Sequence, residues 1–418
     1  MVDVLRNSWA LFFGMLLLMI GNGLQGTLVG VRGDLEGFST LELSIIMSAY
    51  FAGFLGGSRA APEMIRRVGH IRSFAALGSI ISAALILFPV VVDPISWTIL
   101  RAIIGFGFSA VYVTAESWLN NATTNDNRGK TLGIYMVVQL TGIVLAQSLL
   151  VLGDPAGFVL FIVLSVLVSL SFAPILLSVT PTPPFETTKP MGLFEVIRVS
   201  PLGVTGMFIL GGMYSAMFGM SAVYGAAAGF SLGQISAFVA SFYVGGLLLQ
   251  FPIAWLSDRM DRRVLIAISC SIGAAAALVG AIFGTSFTFV LGAAFVYGGL
   301  ANPLYALFLA YTNDFLESEQ MAAAGGRLLF VNGVGAILGP LVLGVALNTF
   351  GPPGYFLFLL ALMAFLTLYA LYRMSVRPSP TAVETESYAP VLPSSTAVVL
   401  EAAQDYYAEA TGEDEPAS

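Results

Sequence analysis

The stretch Gly37-Phe38-Ser39-Thr40-Leu41-Glu42 recurs 192 residues later as Gly229-Phe230-Ser231-Leu232-Gly233-Gln234. Each copy sets a serine three residues before an acid or amide, at the head of a long apolar run. That spacing predicts a capping box. The serine oxygen accepts from a backbone N–H that the first helical turn leaves free, and Glu42 or Gln234 reaches back to the serine N–H. The same offset pairs Ser44 with Ser236, Gly53 with Gly245 and Arg67 with Arg259. Further along, Asp154-Pro155-Ala156-Gly157-Phe158 resembles Gly351-Pro352-Pro353-Gly354-Tyr355. The chain therefore reads as one plan used twice.

Each plan holds six apolar stretches: about 8–31, 41–61, 73–92, 95–119, 131–152 and 157–179, then about 202–224, 234–256, 264–283, 287–312, 328–348 and 355–374. A helix that crosses a bilayer needs about 20 mostly apolar residues. The runs are continuous, without the alternation of a membrane barrel. The expected fold class is an all-α membrane protein of twelve transmembrane helices in two six-helix bundles. Its parts are residues 1–179, a Pro-rich linker 180–200, residues 201–377 and a tail 378–418. The first run is too long for a cleavable signal and lacks a small-residue cleavage site. A parallel six-helix repeat is the pattern of a transporter whose site lies between bundles near mid-membrane.

Composition agrees. Of 418 residues, 57% are apolar and 10% charged, and mean hydropathy is +0.88. Soluble domains carry about 25% charge, so several water-exposed domains are excluded. One cysteine, Cys270, excludes an internal disulfide and a Cys-built metal cluster, and one histidine, His70, argues against a His-built one. No phosphate-binding lysine motif is present. No cofactor, no metal and no enzymatic activity are expected. The formal charge of −7 excludes a basic nucleic-acid surface. Eight acids and no base follow Arg377, which leaves 17 bases and 16 acids for the rest. The acidity belongs to a Pro-, Ser- and Thr-rich tail expected to be disordered.

Lysine and arginine mark the cytoplasmic side of a membrane protein. With the N-terminus inside, 15 of 17 bases fall on that side. Arg32 lies outside and Arg101 within the fourth span. Both termini are therefore expected in the cytoplasm.

Arg101 sits about 9 Å into its span at 1.5 Å per residue. A cation at that depth is costly, so it is expected to face the central cavity, drawing an anionic solute or tuning a proton site. A structural hydrogen bond to a neighbouring helix is the alternative. Asn22 and Gln25 lie three apart on one face of the first span. With Gln139, Tyr214, Asn302, Tyr305 and Asn332 they form the candidate substrate-binding set, because mid-membrane amides and phenols need partners that a wet cavity supplies. Interhelical bonding is again the alternative. His70 is expected in a solvated loop and Cys270 packed or facing lipid.

Other residues carry a family likeness. The loop Asp258-Arg259-Met260-Asp261-Arg262-Arg263, its degenerate first copy Arg66-Arg67-Val68-Gly69-His70-Ile71-Arg72, and Arg101-x-x-x-Gly105-x-Gly107 are similar to motifs of the major facilitator superfamily. Ala115-Glu116-Ser117-Trp118-Leu119-Asn120 followed by Asn127-Arg128-Gly129 resembles a bacterial, YcaD-like branch with poorly assigned substrates. The resemblance covers roughly residues 8–375. In sugar-transporting members a Glu ending the fourth helix pairs with an Arg opening the fifth when the inner gate is shut. That implies gating roles for Glu116 with Arg128 or Arg67, for Asp314 with Arg327, and for Asp258 and Arg259. A static interfacial ion pair is the alternative. Gly333-x-Gly335-x-x-x-Gly339-Pro340 resembles an antiporter motif displaced from the fifth to the eleventh helix. Close helix packing is the preferred reading of it.

The expected function is secondary active transport of one small organic solute by alternating access, coupled to protons. Glu116 is the first candidate carrier, ahead of Asp34 and Asp314. Expected partners are the solute, protons and the lipid bilayer, with no nucleic acid and a monomeric state. The alternatives are a broad-specificity drug exporter and a non-transporting membrane sensor.

Overall fold

Long apolar runs can satisfy their backbone only internally in a bilayer, and a helix does so within one segment. The computed structural model of the protein describes residues 2–121, 128–176, 191–316 and 318–376, with Val391, Thr396, Val398 and Val399. The first bundle holds α1 (Val2–Leu35), α2 (Thr40–Val68), α3 (His70–Leu87), α4 (Pro94–Asn121), α5 (Arg128–Leu152) and α6 (Val159–Leu176). A short α7 (Leu193–Val199) occupies the described end of the linker. The seventh span is α8 (Pro201–Ser215), a π-helical turn (Ala216–Met220) and α9 (Ser221–Ala227). It is followed by α10 (Leu232–Ser257), α11 (Arg262–Ile282), α12 (Phe287–Asn313), α13 (Ser318–Phe350) and α14 (Pro353–Val376). Among the described residues, eleven spans are long and apolar enough to cross a membrane, and α6 is a shorter apolar helix in the sixth place.

Both capping boxes form. Ser39 N–H donates to Glu42 Oε2 at 2.7 Å, and Ser231 N–H donates to Gln234 Oε1 at 2.9 Å. The return bonds to the serine oxygens are each 3.3 Å. Gly37 and Gly229 precede them at φ +78° and +73°, where a side chain is strained.

The repeat extends to the packing. A Cβ on Gly53 of α2 would fall on the carbonyl of Ala102 in α4, and one on Gly105 on the carbonyl of Tyr50. In the second bundle, Gly245 of α10 meets the carbonyl of Phe295 in α12, and Gly298 meets that of Phe242. Gly142 of α5 lies against Leu16 and Met19 of α1, as Gly335 of α13 lies against Phe208 of α8. The glycines of α13 therefore act in close packing. Gly339 meets Gly212, while Gly333 and Gly344 meet Leu55 and Ser44 of the first bundle.

The bundles join through α2 with α13, α5 with α10, and α1 with the seventh span. Ser48 Oγ donates to the Ile337 carbonyl at 2.6 Å, Ser236 Oγ donates to the Gln147 carbonyl, and Gly30 packs on Ala222. These contacts lie toward the end of the molecule opposite the Arg66–Arg72 loop. We call the end with that loop the basic end.

Two expectations need correction. Helix α13 begins at Ser318, ten residues before the hydropathy edge, and α2 runs on to Val68. Hydropathy finds the bilayer-compatible part, whereas Met321 and the alanines after it favour helix on propensity alone. His70 is buried at the start of α3, 3.3 Å from Ser117 Oγ, because Gly69 turns directly into the helix. Of the tail, which was expected to be disordered, the structure describes Val391, Thr396, Val398 and Val399, and all four are buried. Arg128 lies in α5, but its side chain, residues 180–190 and the remainder of 378–418 are outside the described part.

Candidate functional site

Polar side chains in mid-membrane must find each other or a cavity, and here they do both. Asn22 and Gln25 share a face of α1. Asn22 Nδ2 donates to Tyr112 OH at 2.7 Å, and its Oδ1 accepts from Tyr50 OH at 3.0 Å and from Gln25 Nε2 at 2.9 Å. Arg101 of α4 donates to Gln25 Oε1 and places its guanidinium 4.7 Å from the ring centre of Tyr50. One network thus ties α1, α2 and α4 through Arg101, Gln25, Asn22, Tyr50 and Tyr112. Arg101 is fully buried, and its Nε has no hydrogen-bond partner among the described residues.

A cavity with about 510 Å³ of empty space opens beside this network. It is lined by Asn22, Tyr50, Phe51, Phe54, Leu55, Ser58 and Tyr112 from the first bundle, and by Tyr214, Leu329, Asn332, Gly333 and Ala336 from the second. None of these residues is charged. Tyr214 stacks on Phe218 of the π turn with ring centres 5.9 Å apart. Phe218 in turn meets Tyr50 and Phe51 at 5.6 and 6.3 Å. Single π turns inside α-helices are frequent at functional sites. This one swings an aromatic face of the seventh span against α2. Asn332 anchors by Nδ2 to the Met207 carbonyl at 2.9 Å.

Of the expected binding set, Asn22, Tyr214 and Asn332 reach the cavity wall. Gln25 and Arg101 stand behind it in the network. Gln139 is buried in α5, one turn beyond Tyr135. Asn302 is bonded within its own bundle, to the carbonyls of Gly298 at 2.8 Å and Phe242 at 3.4 Å. Tyr305 is buried, and its hydroxyl has no hydrogen-bond partner among the described residues. Sequence reasoning missed Tyr50 and Tyr112. Tyr112 was findable, since it follows Arg101 by about three helical turns and shares its face.

The Arg128 side chain, expected opposite Glu116, lies outside the described residues; the other gating candidates make these contacts. Glu116 is 1% exposed and accepts from Tyr135 OH at 2.7 Å and from Thr396, through the backbone N–H at 3.1 Å and the hydroxyl. Asp314 pairs with Arg262, not with Arg327, in a buried bridge between α11 and the end of α12. The Arg262 guanidinium also reaches the Ala310 carbonyl at 3.3 Å. Arg262 opens α11 directly beneath Asp314, a proximity that spacing along the chain does not reveal. Arg327 donates to the Met191 carbonyl at 2.6 Å. Arg67 is 71% exposed and paired with Glu63 one turn earlier. Arg259 lies 4.2 Å from the Trp255 ring centre, and Asp258 caps the end of α10. The Arg262–Asp314 bridge lies inside one bundle, between α11 and the end of α12.

Comparison with known proteins fits this architecture. The family model of the Major Facilitator Superfamily matches residues 11–242 and again 225–403. An "Uncharacterized MFS-type transporter YcaD" from Escherichia coli O6:K15:H31 is 27% identical over 383 residues, covering 90% of this chain and 98% of the relative. The protein of the same description from Escherichia coli O45:K1 has the same identity and coverage. Among solved structures, a mutant form of the nucleoside transporter NupG aligns with a TM-score of 0.76 at 14% identity. That alignment covers 88% of this chain and 99% of the other. At that identity the likeness shows the fold. These family relatives are transporters, not enzymes. With its family model spanning both bundles, the chain belongs to the major facilitator superfamily and is a multi-pass membrane transporter.

Proposed function

We propose that this chain is a secondary active transporter that moves one small organic solute across a bacterial inner membrane by alternating access, with protons as coupling ion. The observation that carries this reading is the central cavity, because Asn22, Tyr50 and Tyr112 from one bundle face Tyr214 and Asn332 from the other. A solute bound by both bundles changes its contacts when one rocks against the other, as alternating access requires. The basic end faces the cytoplasm in this reading, in keeping with the bias of lysine and arginine.

The uncharged, aromatic wall favours an uncharged solute with a flat ring and a few hydrogen-bonding groups. Aromatic faces stack on such rings, and Asn332 and Tyr214 offer polar contacts. A nucleoside, the cargo named for the structural neighbour NupG, has this chemistry. Arg101 then acts from behind Tyr50 by fixing its ring, and does not draw an anion. Glu116 is the proton carrier, a buried carboxylate that holds hydroxyl and amide donors and no described cation. The rings also favour a second reading, export of apolar ring compounds.

The test is counterflow into proteoliposomes with uridine, a neutral sugar, an aromatic carboxylate and a lipophilic dye, with and without an imposed pH gradient. Uridine uptake that rises with inward proton flow is expected. Uptake indifferent to the gradient removes proton coupling and leaves a uniporter, whereas movement of the dye alone replaces import by efflux.

A further inference from the structure

The π turn at Ala216–Met220 is met by two hydroxyls that the cavity does not use. Ser221, the first residue beyond the turn, and Tyr355, at the head of α14, are both fully buried. Ser221 Oγ donates to the Met217 carbonyl at 2.7 Å. With that proton committed, Tyr355 OH donates to Ser221 Oγ at 2.8 Å and lies 3.3 Å from the Ala216 carbonyl. The Tyr355 ring is itself fixed. It stacks on Tyr224 of α9 with ring centres 4.6 Å apart and stands edge-on to Phe238 of α10 at 5.9 Å. Neither Ser221 nor Tyr355 lines the cavity.

We propose that Ser221 and Tyr355 are positioning residues for the solute site, a clasp that holds the seventh span in its π form and so places the stacked rings of Tyr214 and Phe218. The clasp grips the turn where it meets its own bundle. Elsewhere the turn meets the first bundle. A Cβ on Gly26 of α1 would lie 3.4 Å from the Phe218 carbonyl, and one on Gly219 would lie 3.4 Å from Met47 Cβ in α2.

A π turn is rare, and its single-turn form sets one extra residue into an α-helix. It persists where surrounding groups over-determine it. Relaxation to α-helix would shift the register across the turn by one residue, a rotation of about 100° at 3.6 residues per turn. That rotation takes the Phe218 ring off Tyr50 and Phe51 and swings Gly219 away from Met47. The first bundle supplies the contrast. At the offset of 192, Ser221 corresponds to Val29, and in the matching loop Tyr355 corresponds to Phe158. Both hydroxyls are missing there, and α1 runs as one α-helix through the equivalent stretch.

The consequence for solute rests on the transport reading, whereas the clasp does not, and two measurements separate them. Cys270 is buried and is the chain's one cysteine. The double variant Met47→Cys, Gly219→Cys in the full chain therefore reports the turn by its rate of disulfide formation under copper phenanthroline, since Cβ atoms about 3.5–4.5 Å apart can be bridged. Uridine counterflow reports the wall. Tyr355→Phe and Ser221→Ala each remove one hydroxyl of the clasp. Tyr224→Phe trims a hydroxyl from the same aromatic cluster and serves as the control.

Tyr355→Phe and Ser221→Ala are each expected to slow the cross-link about ten-fold. Each should also raise the half-saturating uridine concentration about ten-fold while the maximal rate is kept, the pattern of lost binding rather than lost turnover. Tyr224→Phe should match the parent in both. Cross-linking at the parent rate in both clasp variants overturns the clasp. An equal slowing in Tyr224→Phe also overturns it, because ring packing would then hold the turn. A slower cross-link with unchanged half-saturation overturns the positioning of the wall. A parent chain that moves no uridine removes the solute reading, and the cross-link still decides the clasp.

Discussion

Where the first bundle sets Tyr50 over Gly105, the second sets Phe242 over Gly298. The backbones approach in the same way, yet the hydroxyl that bonds Asn22 is gone. The difference holds along the repeat. At the same offset, or one residue more for the fourth and tenth spans, Asn22 corresponds to Tyr214, Gln25 to Met217, Arg101 to Ala294 and Glu116 to Leu309. The polar network and the buried Glu116 belong to the first bundle. The matching positions of the second are apolar or aromatic, and its seventh span carries the π turn. Close packing needs only glycine at a crossing and a cap at a helix start, so the chemistry of the two bundles could diverge while their packing stayed the same. One bundle holds a fixed hydrogen-bonded wall, and the other offers aromatic faces to it.

The largest effect should come where the second bundle is the more charged. Arg262 corresponds by the same offset to His70, and Asp314, one residue further, to Asn121. His70 bonds a serine, whereas Arg262 holds a buried carboxylate. Asp314→Ala takes the carboxylate away from that buried guanidinium, and breaking a buried ion pair from one side costs about 3–5 kcal/mol. His70→Ala removes one neutral hydrogen bond, worth about 1 kcal/mol. Thermal unfolding of the purified variants should show this order, and equal losses would mean that the bridge is solvated.

The glycine crossings should instead respond alike. Gly53→Ala and Gly245→Ala each drive a methyl into a facing carbonyl, and overpacking of that kind costs about 1–3 kcal/mol. Matching drops in melting temperature are expected. Tolerance in one bundle alone would break the packing symmetry. Smaller in stability but larger in function is Asn22→Ala, which strips Tyr50, Tyr112 and Gln25 of their common partner for about 1–2 kcal/mol. Tyr214→Phe, at the matching place, keeps the ring that stacks on Phe218 and should lower solute uptake. If Asn22→Ala spares uptake, the fixed wall is not part of the site.

The legible part of the fold was what repeats locally. The capping boxes, the apolar runs and the basic loops are each set by neighbours within a turn or two, and the structure carries both boxes. The site was legible only in part. Asn22, Tyr214 and Asn332 could be picked out because a polar group in mid-membrane demands a partner. Whether the partner is a cavity or another helix depends on rotation about the helix axis. That is why Arg101 and Asn302, equally polar, lie behind the wall. The pairing of Asp314 with Arg262 crosses two helix ends and has no local signature. The docking of Thr396 on Glu116 was hidden by composition, since the acids around this segment outweigh its short run of valines.

The smallest effect concerns a pair of arginines at one repeat position. Arg67 and Arg259 each contact the residue four before them, Glu63 in the first bundle and Trp255 in the second. The partners are themselves repeat mates at the same offset. One contact is an exposed ion pair, of the kind that contributes little and is screened by salt. The other is a cation over a ring, held by the ring quadrupole with the indole excluding water on one side. Double-mutant cycles on Arg67 with Glu63 and on Arg259 with Trp255 should both give small couplings at low salt. At 1 M salt the Debye length falls to about 3 Å, so the first coupling should vanish while the second persists. Loss of both would show that the ring contact is no more than an exposed charge resting at the surface, and that this position differs between bundles in sequence alone.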